Sequence, residues 1–142
     1  MASDIPSILS HVSLGVTDLA RSIAFYDQVM PTIGAVKKMD VPEIGVAYGK
    51  AYPEFWIQRP IDGQPAGVGN GTHIAFLTGS TDEVDAFHAA ALAAGGTDDG
   101  MPGWRPQYSP AYYACFVRDP DGHKIEAMFW DAEKAKIESH TG

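Results

Sequence analysis

The chain has 142 residues, of which 45% are hydrophobic and 20% are charged, as in an ordinary globular domain. The formal charge of −8 argues against a nucleic-acid-binding surface, because phosphate recognition needs clustered cations. The single cysteine, Cys115, excludes an intramolecular disulfide and a CxxC metal site. Because the sequence has no run of ~18 apolar residues and no signal-peptide pattern, we expect a cytoplasmic protein with no membrane partner.

Two parts of the chain repeat a pattern of one strand, one helix and further strands. The first repeat opens with an extended run at 11–16 and a helix from about 18 to 30, where Pro31 marks the end. Extended runs follow at 35–39, 44–48 and 54–59. The glycine- and proline-rich segment 60–71 is predicted to be a linker.

The second repeat opens with a strand at 73–78 and a helix at 81–94, with Ser80 and Glu83 spaced as a capping box. The remaining predicted elements are a weak edge strand near Thr97, a long loop at 100–110, strands at 112–117 and 124–130 around a hairpin turn at 119–122, and a helix at 132–138. This order predicts an α+β fold in one domain, 1–142, with internal repeats at 8–59 and 72–130.

Two histidines occupy equivalent places in the repeats. His11 and His73 each lie early in the first strand, on the face opposite its bulky apolar residues. Glu126 lies in the apolar last strand, where a carboxylate is costly unless it is paired or bound to a cation. Together, His11, His73 and Glu126 predict a divalent metal site. Because we align Ile57-Gln58 with Ile125-Glu126, Gln58 is predicted to be a further oxygen ligand.

Aromatic and cationic residues are candidates for contacting a small-molecule substrate. Trp56 is predicted to face the same way as Gln58, and the long loop supplies further candidates, Trp104, Arg105 and Tyr108. We interpret Tyr112 as a core residue and the remaining histidines as solvated: His88, His123 and His140.

The segments His11–Tyr26, Gly71–Phe76 and Asp119–Glu126 together resemble the glyoxalase, bleomycin-resistance and extradiol-dioxygenase group, the vicinal oxygen chelate superfamily. The resemblance covers nearly the whole chain. It implies paired βαβββ modules that form a cupped, mostly antiparallel mixed sheet with helices on the outer face, and a homodimer.

The resemblance also implies one divalent metal ion per chain, which could be Fe, Mn, Ni or Zn. The ligand positions fall on His11, His73 and Glu126, with Gln58 where glyoxalase I has a glutamate. Through the metal, Glu126 would be the catalytic residue of a lyase, isomerase or dioxygenase that acts on a small oxygenated substrate.

The same ligand set is similar to that of Fe(II) extradiol dioxygenases and of Mn(II) thiol transferases that inactivate fosfomycin. Against the latter, the cationic residues Arg59, Arg105 and Lys124 are scattered along the sequence and predict no basic cluster for a phosphonate. The alternative function is a metal-free binding protein of the bleomycin-resistance type, which the acidic charge and aromatic residues would suit.

Overall fold

The computed structural model describes residues 7–141, with side chains through residue 136. The first half contains strand β1 (Val12–Gly15), helix α1 (Leu19–Val29), a short 3₁₀ helix (Met30–Ile33), and strands β2 (Val36–Val41), β3 (Gly45–Gly49) and β4 (Phe55–Gln58). The second half contains β5 (His73–Leu77), α2 (Thr81–Ala93), β6 (Thr97–Trp104), β7 (Tyr112–Arg118), β8 (Lys124–Trp130) and α3 (Ala132–Thr141).

The strands form two four-stranded sheets of the same topology. The first sheet has the order β1-β4-β3-β2, and the second has the order β5-β8-β7-β6. In each sheet the first strand pairs in parallel with the last, and the other pairs are antiparallel. The predicted α+β architecture is therefore confirmed.

Local signals determine where the two helices begin. The Asp18 side chain accepts a hydrogen bond from the Arg21 amide at the start of α1. At the start of α2, the Ser80 hydroxyl accepts from the Glu83 amide at 3.1 Å, and the Glu83 carboxylate accepts from the Gly79 amide at 2.6 Å. The predicted cap at Ser80 and Glu83 is confirmed, with the carboxylate reaching one residue further back than in the standard capping box.

Both sheets pack their helix-side faces into one shared core. The Phe55 and Phe76 rings, one from each half, have centroids 4.9 Å apart, and Phe76 also contacts Phe87 of α2 at 5.9 Å. Helix α2 packs against α1 and against the 3₁₀ helix. Because the helix-side faces are used in this way, the opposite faces of the two sheets remain for ligand binding.

The hairpin turn between β7 and β8 fastens onto the first half of the chain. Asp121 accepts hydrogen bonds from the Thr17 amide at 2.9 Å and the Ser22 hydroxyl at 3.2 Å, while Asp119 accepts from the Tyr26 hydroxyl at 2.8 Å. His123 follows the turn, is buried, and places its Nε2 2.6 Å from the Gly15 carbonyl oxygen. The hairpin of the second half thus completes the β1–α1 junction of the first.

Two histidines that were expected to be solvated are buried in the structure. His123 is buried rather than solvated, and so is His88, whose Nε2 lies 2.8 Å from Asp98 Oδ1; the His140 side chain lies outside the described residues. The predicted loop at 100–110 is wrong in its first part, because β6 continues to Trp104 with register shifts that absorb its glycines. Among residues 7–141, no helix is long and apolar enough to cross a membrane.

Candidate functional site

One face of the second sheet gathers polar and aromatic side chains around Glu126. In the strand register, Glu126 of β8 is opposite Ala75 of β5 on one side and Phe116 of β7 on the other. His73 is opposite Lys124 in the neighbouring pair. Since alternate residues share a face, this side of the sheet presents His73, Lys124, Glu126, Phe116 and Tyr112.

Glu126 is the most buried member of this group, with a side chain that is only 2% exposed. Its Oε1 lies 2.7 Å from Nε2 of His73, and its Oε2 accepts a hydrogen bond from the Tyr112 hydroxyl. No lysine or arginine forms an ion pair with it in the part of the chain that the structure describes. A buried carboxylate bonded to an imidazole brings together two donor types that divalent metal ions use.

Tyr112 belongs to this site, contrary to the expectation that it packs in the core. Burial, and then the hydrogen bond to Glu126, raise the pKa of the Tyr112 phenol above its ordinary value, so the phenol stays protonated and donates. The ring of Tyr108 contacts it edge-on, with centroids 5.2 Å apart. The alternation in β7, where Tyr112 shares a face with Phe116, was the signal that could have placed it here.

Two cations flank the Phe116 ring on the same face. The Arg105 guanidinium carbon lies 5.4 Å from the ring centroid, and the Lys124 ammonium nitrogen lies 5.1 Å from it. The His73 ring is 5.8 Å from the same ring. The expectation that the cationic residues are scattered is therefore wrong for Arg105 and Lys124, because β-sheet pairing brings them to one aromatic side chain.

The corresponding face of the first sheet carries the other predicted site residues. His11, Trp56 and Gln58 line a cavity of about 410 Å³ together with Ser10, Ser13, Tyr52 and Pro53. His11 immediately precedes β1, is exposed, and places its Nδ1 3.0 Å from the Ser10 hydroxyl. An exposed imidazole whose one contact among the described residues is a serine hydroxyl remains available to a ligand.

The predicted three-residue metal site is not assembled within one chain. Among the described residues, no group of three histidine, cysteine, aspartate or glutamate side chains is close enough to hold a metal ion. His73 and Glu126 are together, whereas His11 belongs to the other sheet. A second cavity, of about 510 Å³, is lined by both His11 and His73 but otherwise mainly by apolar residues where the halves meet.

The alignment of Gln58 with Glu126 is wrong by two residues. In the first sheet, Ser13 pairs with Trp56 and Gly15 with Gln58, whereas in the second sheet Ala75 pairs with Glu126 and Leu77 with Met128. Equivalent backbone hydrogen bonds support this register, from Val16 to Gln58 at 3.0 Å and from Thr78 to Met128 at 2.8 Å. Trp56 therefore holds the place of Glu126, and Gln58 holds the place of Met128.

Trp104 is not part of either face. It pairs with Tyr113, which lies on the helix side of the second sheet, and the two rings are 5.0 Å apart. The Lys134 ammonium of α3 lies 3.4 Å from the Trp104 ring centroid. The structure therefore does not bring Trp104 together with the other predicted site residues, because this residue contacts Lys134 of α3 while Arg105 lies over Phe116.

Comparisons with known proteins agree with this architecture. A family model described as the Glyoxalase/Bleomycin resistance protein/Dioxygenase superfamily matches residues 8–127. The crystal structure of a glyoxalase/bleomycin resistance protein from Albidiferax ferrireducens T118 is 40% identical, with a TM-score of 0.79, over 87% of this chain and 98% of that one.

Two further relatives carry more specific names. The metallothiol transferase FosB of Shouchella clausii is 28% identical over 124 residues, which cover 83% of this chain and 77% of that protein. The structure of lactoylglutathione lyase from Agrobacterium tumefaciens is 20% identical, with a TM-score of 0.62, over 89% of this chain and 95% of that one. At that identity the second likeness concerns the fold alone.

Proposed function

Because the chain belongs to the Glyoxalase/Bleomycin resistance protein/Dioxygenase superfamily, we propose that it is a metal-dependent enzyme that acts on a small oxygenated molecule. The observation that carries this proposal is the buried Glu126 carboxylate bonded to His73. A lyase, isomerase or dioxygenase reaction would each use such a site.

The donors of this pair fit a divalent transition metal. Glu126 offers carboxylate oxygens and His73 offers an imidazole nitrogen, a combination that suits Fe, Mn, Ni or Zn. When bound, the metal would act as a Lewis acid toward substrate oxygens. The name of the FosB relative, a metallothiol transferase, is consistent with a metal-dependent activity.

We propose that His11 completes the site from a second copy of the chain. Within one chain the two sheets share a core through their helix sides, so the face with His11 and the face with His73 and Glu126 do not form a three-residue group. In a two-fold homodimer, the first-sheet face of one copy can oppose the second-sheet face of the other. Each dimer would then contain two equivalent sites.

The surrounding residues have distinct proposed tasks. Tyr112 holds and orients Glu126 through its hydroxyl, and Tyr108 covers the Tyr112 ring. Trp56 gives the opposing face a flat apolar surface beside His11, so the substrate is expected to have an apolar part. In this arrangement 8–59 and 72–130 act as two repeats of one glyoxalase-like domain.

Metal analysis tests the proposal directly. The purified protein is reloaded with Mn(II), Fe(II), Ni(II) or Zn(II) and analysed for one ion per chain. Glu126→Ala and His73→Ala should lower metal affinity at least a hundredfold, whereas Glu133→Ala, an exposed glutamate of α3, should not change it. A wild-type protein that binds none of these metals would instead be a metal-free binding protein of the bleomycin-resistance type.

Subunit mixing tests whether the site is shared. His11→Ala and Glu126→Ala each damage both sites of a homodimer, but a mixed dimer of the two variants would retain one intact site. We expect the mixture to regain metal binding, up to about one ion per mixed dimer, and sedimentation to give twice 15.2 kDa. No recovery in a verified mixed dimer would place all ligands in one chain and contradict the shared site.

A further inference from the structure

We propose that Arg105 and Lys124 form an anion-binding subsite beside His73 and Glu126, so that the substrate carries a carboxylate or phosphonate group. The inference rests on the proposed function, since it specifies the substrate of the same site. Three observations support it: the position of the Arg105 guanidinium, its lack of a described carboxylate partner, and the contacts of both Arg105 and His73 with Phe116.

The Arg105 side chain lies beside two glycines of β6, Gly100 and Gly103. A Cβ added at Gly100 would come within 2.8 Å of Phe116 and 3.4 Å of Arg105 Nη2, and one added at Gly103 would come within 3.1 Å of Arg105 Nη1. Nη2 donates to the Met101 carbonyl oxygen at 2.6 Å. The two glycines therefore leave room for the guanidinium, and the Met101 carbonyl orients it.

No carboxylate in the described part of the chain neutralises the charge of Arg105. It forms no ion pair with any carboxylate among the residues that the structure describes, although the whole chain carries a formal charge of −8. By contrast, Arg118 lies 3.0 Å from Asp99 and Arg21 lies 3.6 Å from Asp121. A seated guanidinium without a carboxylate partner retains N–H donors that match the two oxygens of an anionic group.

Lys124 adds a second positive charge at the same place. Its ammonium lies on the Phe116 ring and 3.6 Å from Asp99, which Arg118 contacts more closely, so the lysine charge is only partly offset. Lys124 is also the register partner of His73. A small molecule held near His73 can thus reach both cations across one aromatic ring.

The Glu126 carboxylate would repel an anion from this face unless a cation offsets its charge. A divalent ion held by His73 and Glu126 would reverse that local charge. The anionic group of the substrate would then lie between two fixed cations on one side and the metal on the other. This geometry favours a compact acid, with its charged group a few bonds from the oxygens that are presented to the metal.

The test is a titration of the full-length Zn(II)-loaded protein with three probes of similar shape: phenylphosphonate, benzoate and uncharged benzyl alcohol. Binding is followed by the NMR signals of arginine Nε–H groups. We expect the Arg105 signal to shift with one or both anions and not with benzyl alcohol. The anion that binds more tightly identifies the charged group of the substrate.

Variants decide whether the cations are responsible. Arg105→Gln should weaken anion binding at least tenfold and Lys124→Gln less, whereas Arg59→Gln, an exposed arginine outside this face, should leave binding unchanged. Anion binding that survives Arg105→Gln, as direct coordination to zinc would, overturns the inference. Benzyl alcohol binding as tightly as the two anions would also overturn the inference.

Zinc affinity is measured on the same variants and keeps the two proposals separate. Arg105→Gln should bind zinc as the wild type does. If wild-type protein binds zinc but neither anion, the subsite is wrong and the proposed function stands. If it binds an anion through Arg105 but no metal, the proposed function is wrong and the subsite stands.

Discussion

Trp56 of β4 occupies the position in the first sheet that Glu126 of β8 occupies in the second. Trp56 pairs with Ser13, two residues after His11, and Glu126 pairs with Ala75, two residues after His73. The two halves are therefore alike in backbone but unequal in donors. One half offers an imidazole beside an indole, and the other offers an imidazole beside a carboxylate. In the proposed shared site, these would supply three donors and leave coordination positions open to substrate.

Gln58 should not hold the metal. Because it lies two residues further along β4 than Trp56, we predict that Gln58→Ala changes metal affinity less than threefold. Calorimetric metal titration measures this. The comparison variant is His11→Ala on the same face, which should lower metal affinity strongly. A tenfold or larger loss in Gln58→Ala would mean that Gln58 is a ligand despite its register.

Tyr112 should strengthen metal binding without being a ligand. Removing its hydroxyl by Tyr112→Phe leaves Glu126 with one partner fewer, and loss of such an outer hydrogen bond typically lowers metal affinity about tenfold or more. The control is Tyr113→Phe, which removes a 2.6 Å hydrogen bond to Asp85 on the opposite face. Equal metal affinity in both variants would contradict an orienting role for Tyr112.

Asp121 should stabilise the fold in a pH-dependent way. Burial raises its pKa, but hydrogen bonds from Thr17 and Ser22 and the nearby Arg21 outweigh burial, so the pKa lies below its ordinary value. A lowered pKa stabilises the folded state above the unfolded pKa of about 3.9, and the contribution is lost as pH falls below it.

We therefore predict that Asp121→Asn lowers the free energy of unfolding at pH 7 by about 1–3 kcal/mol. The difference from wild type should shrink as the pH falls below about 3.9. Denaturant melts across this range measure it, with Asp62→Asn in an exposed loop as the control. A difference that stays constant down to pH 2 would show that the charge is not responsible.

Cys115 should be inert in the native protein. Its side chain is fully buried, burial raises its pKa to about 11, and its Sγ lies 3.6 Å from the Val84 carbonyl oxygen. We predict that a thiol reagent at pH 8 modifies the folded chain at least a hundredfold more slowly than the chain in guanidinium. Comparable rates would mean that this part of the core opens readily.

The features that were predictable from sequence depend on neighbouring residues. The β8 strand has the predicted bounds, Lys124–Trp130, because alternating apolar residues follow the turn at 119–122 and Asp131 precedes helix α3. The Ser80 cap and the positive φ of Gly122, 96°, follow from the chemistry of one or two residues. Such signals do not require knowledge of what packs against them.

The features that were missed depend on partners distant in sequence. The Gln58 register is set by parallel pairing of β1 with β4, which no tight turn specifies. The face of Trp104 depends on bulges that form only against β7, and Arg105 and Lys124 meet only once three strands are paired. The alternation of apolar and polar residues within one strand cannot reveal a change in register that pairing with a neighbouring strand imposes.

The docking of the Asp119–Gly122 hairpin onto the β1–α1 junction has a consequence for synthesis of the chain. Thr17 finds its hydrogen-bond acceptor 104 residues later, in Asp121, and Gly15 finds His123 108 residues later. A growing polypeptide exposes its N-terminal part first, so the start of α1 must wait for nearly the last strand to be translated. The contacts at the β1–α1 junction therefore form late, and closing such distant contacts makes folding of the first half slow compared with a helical domain of this length.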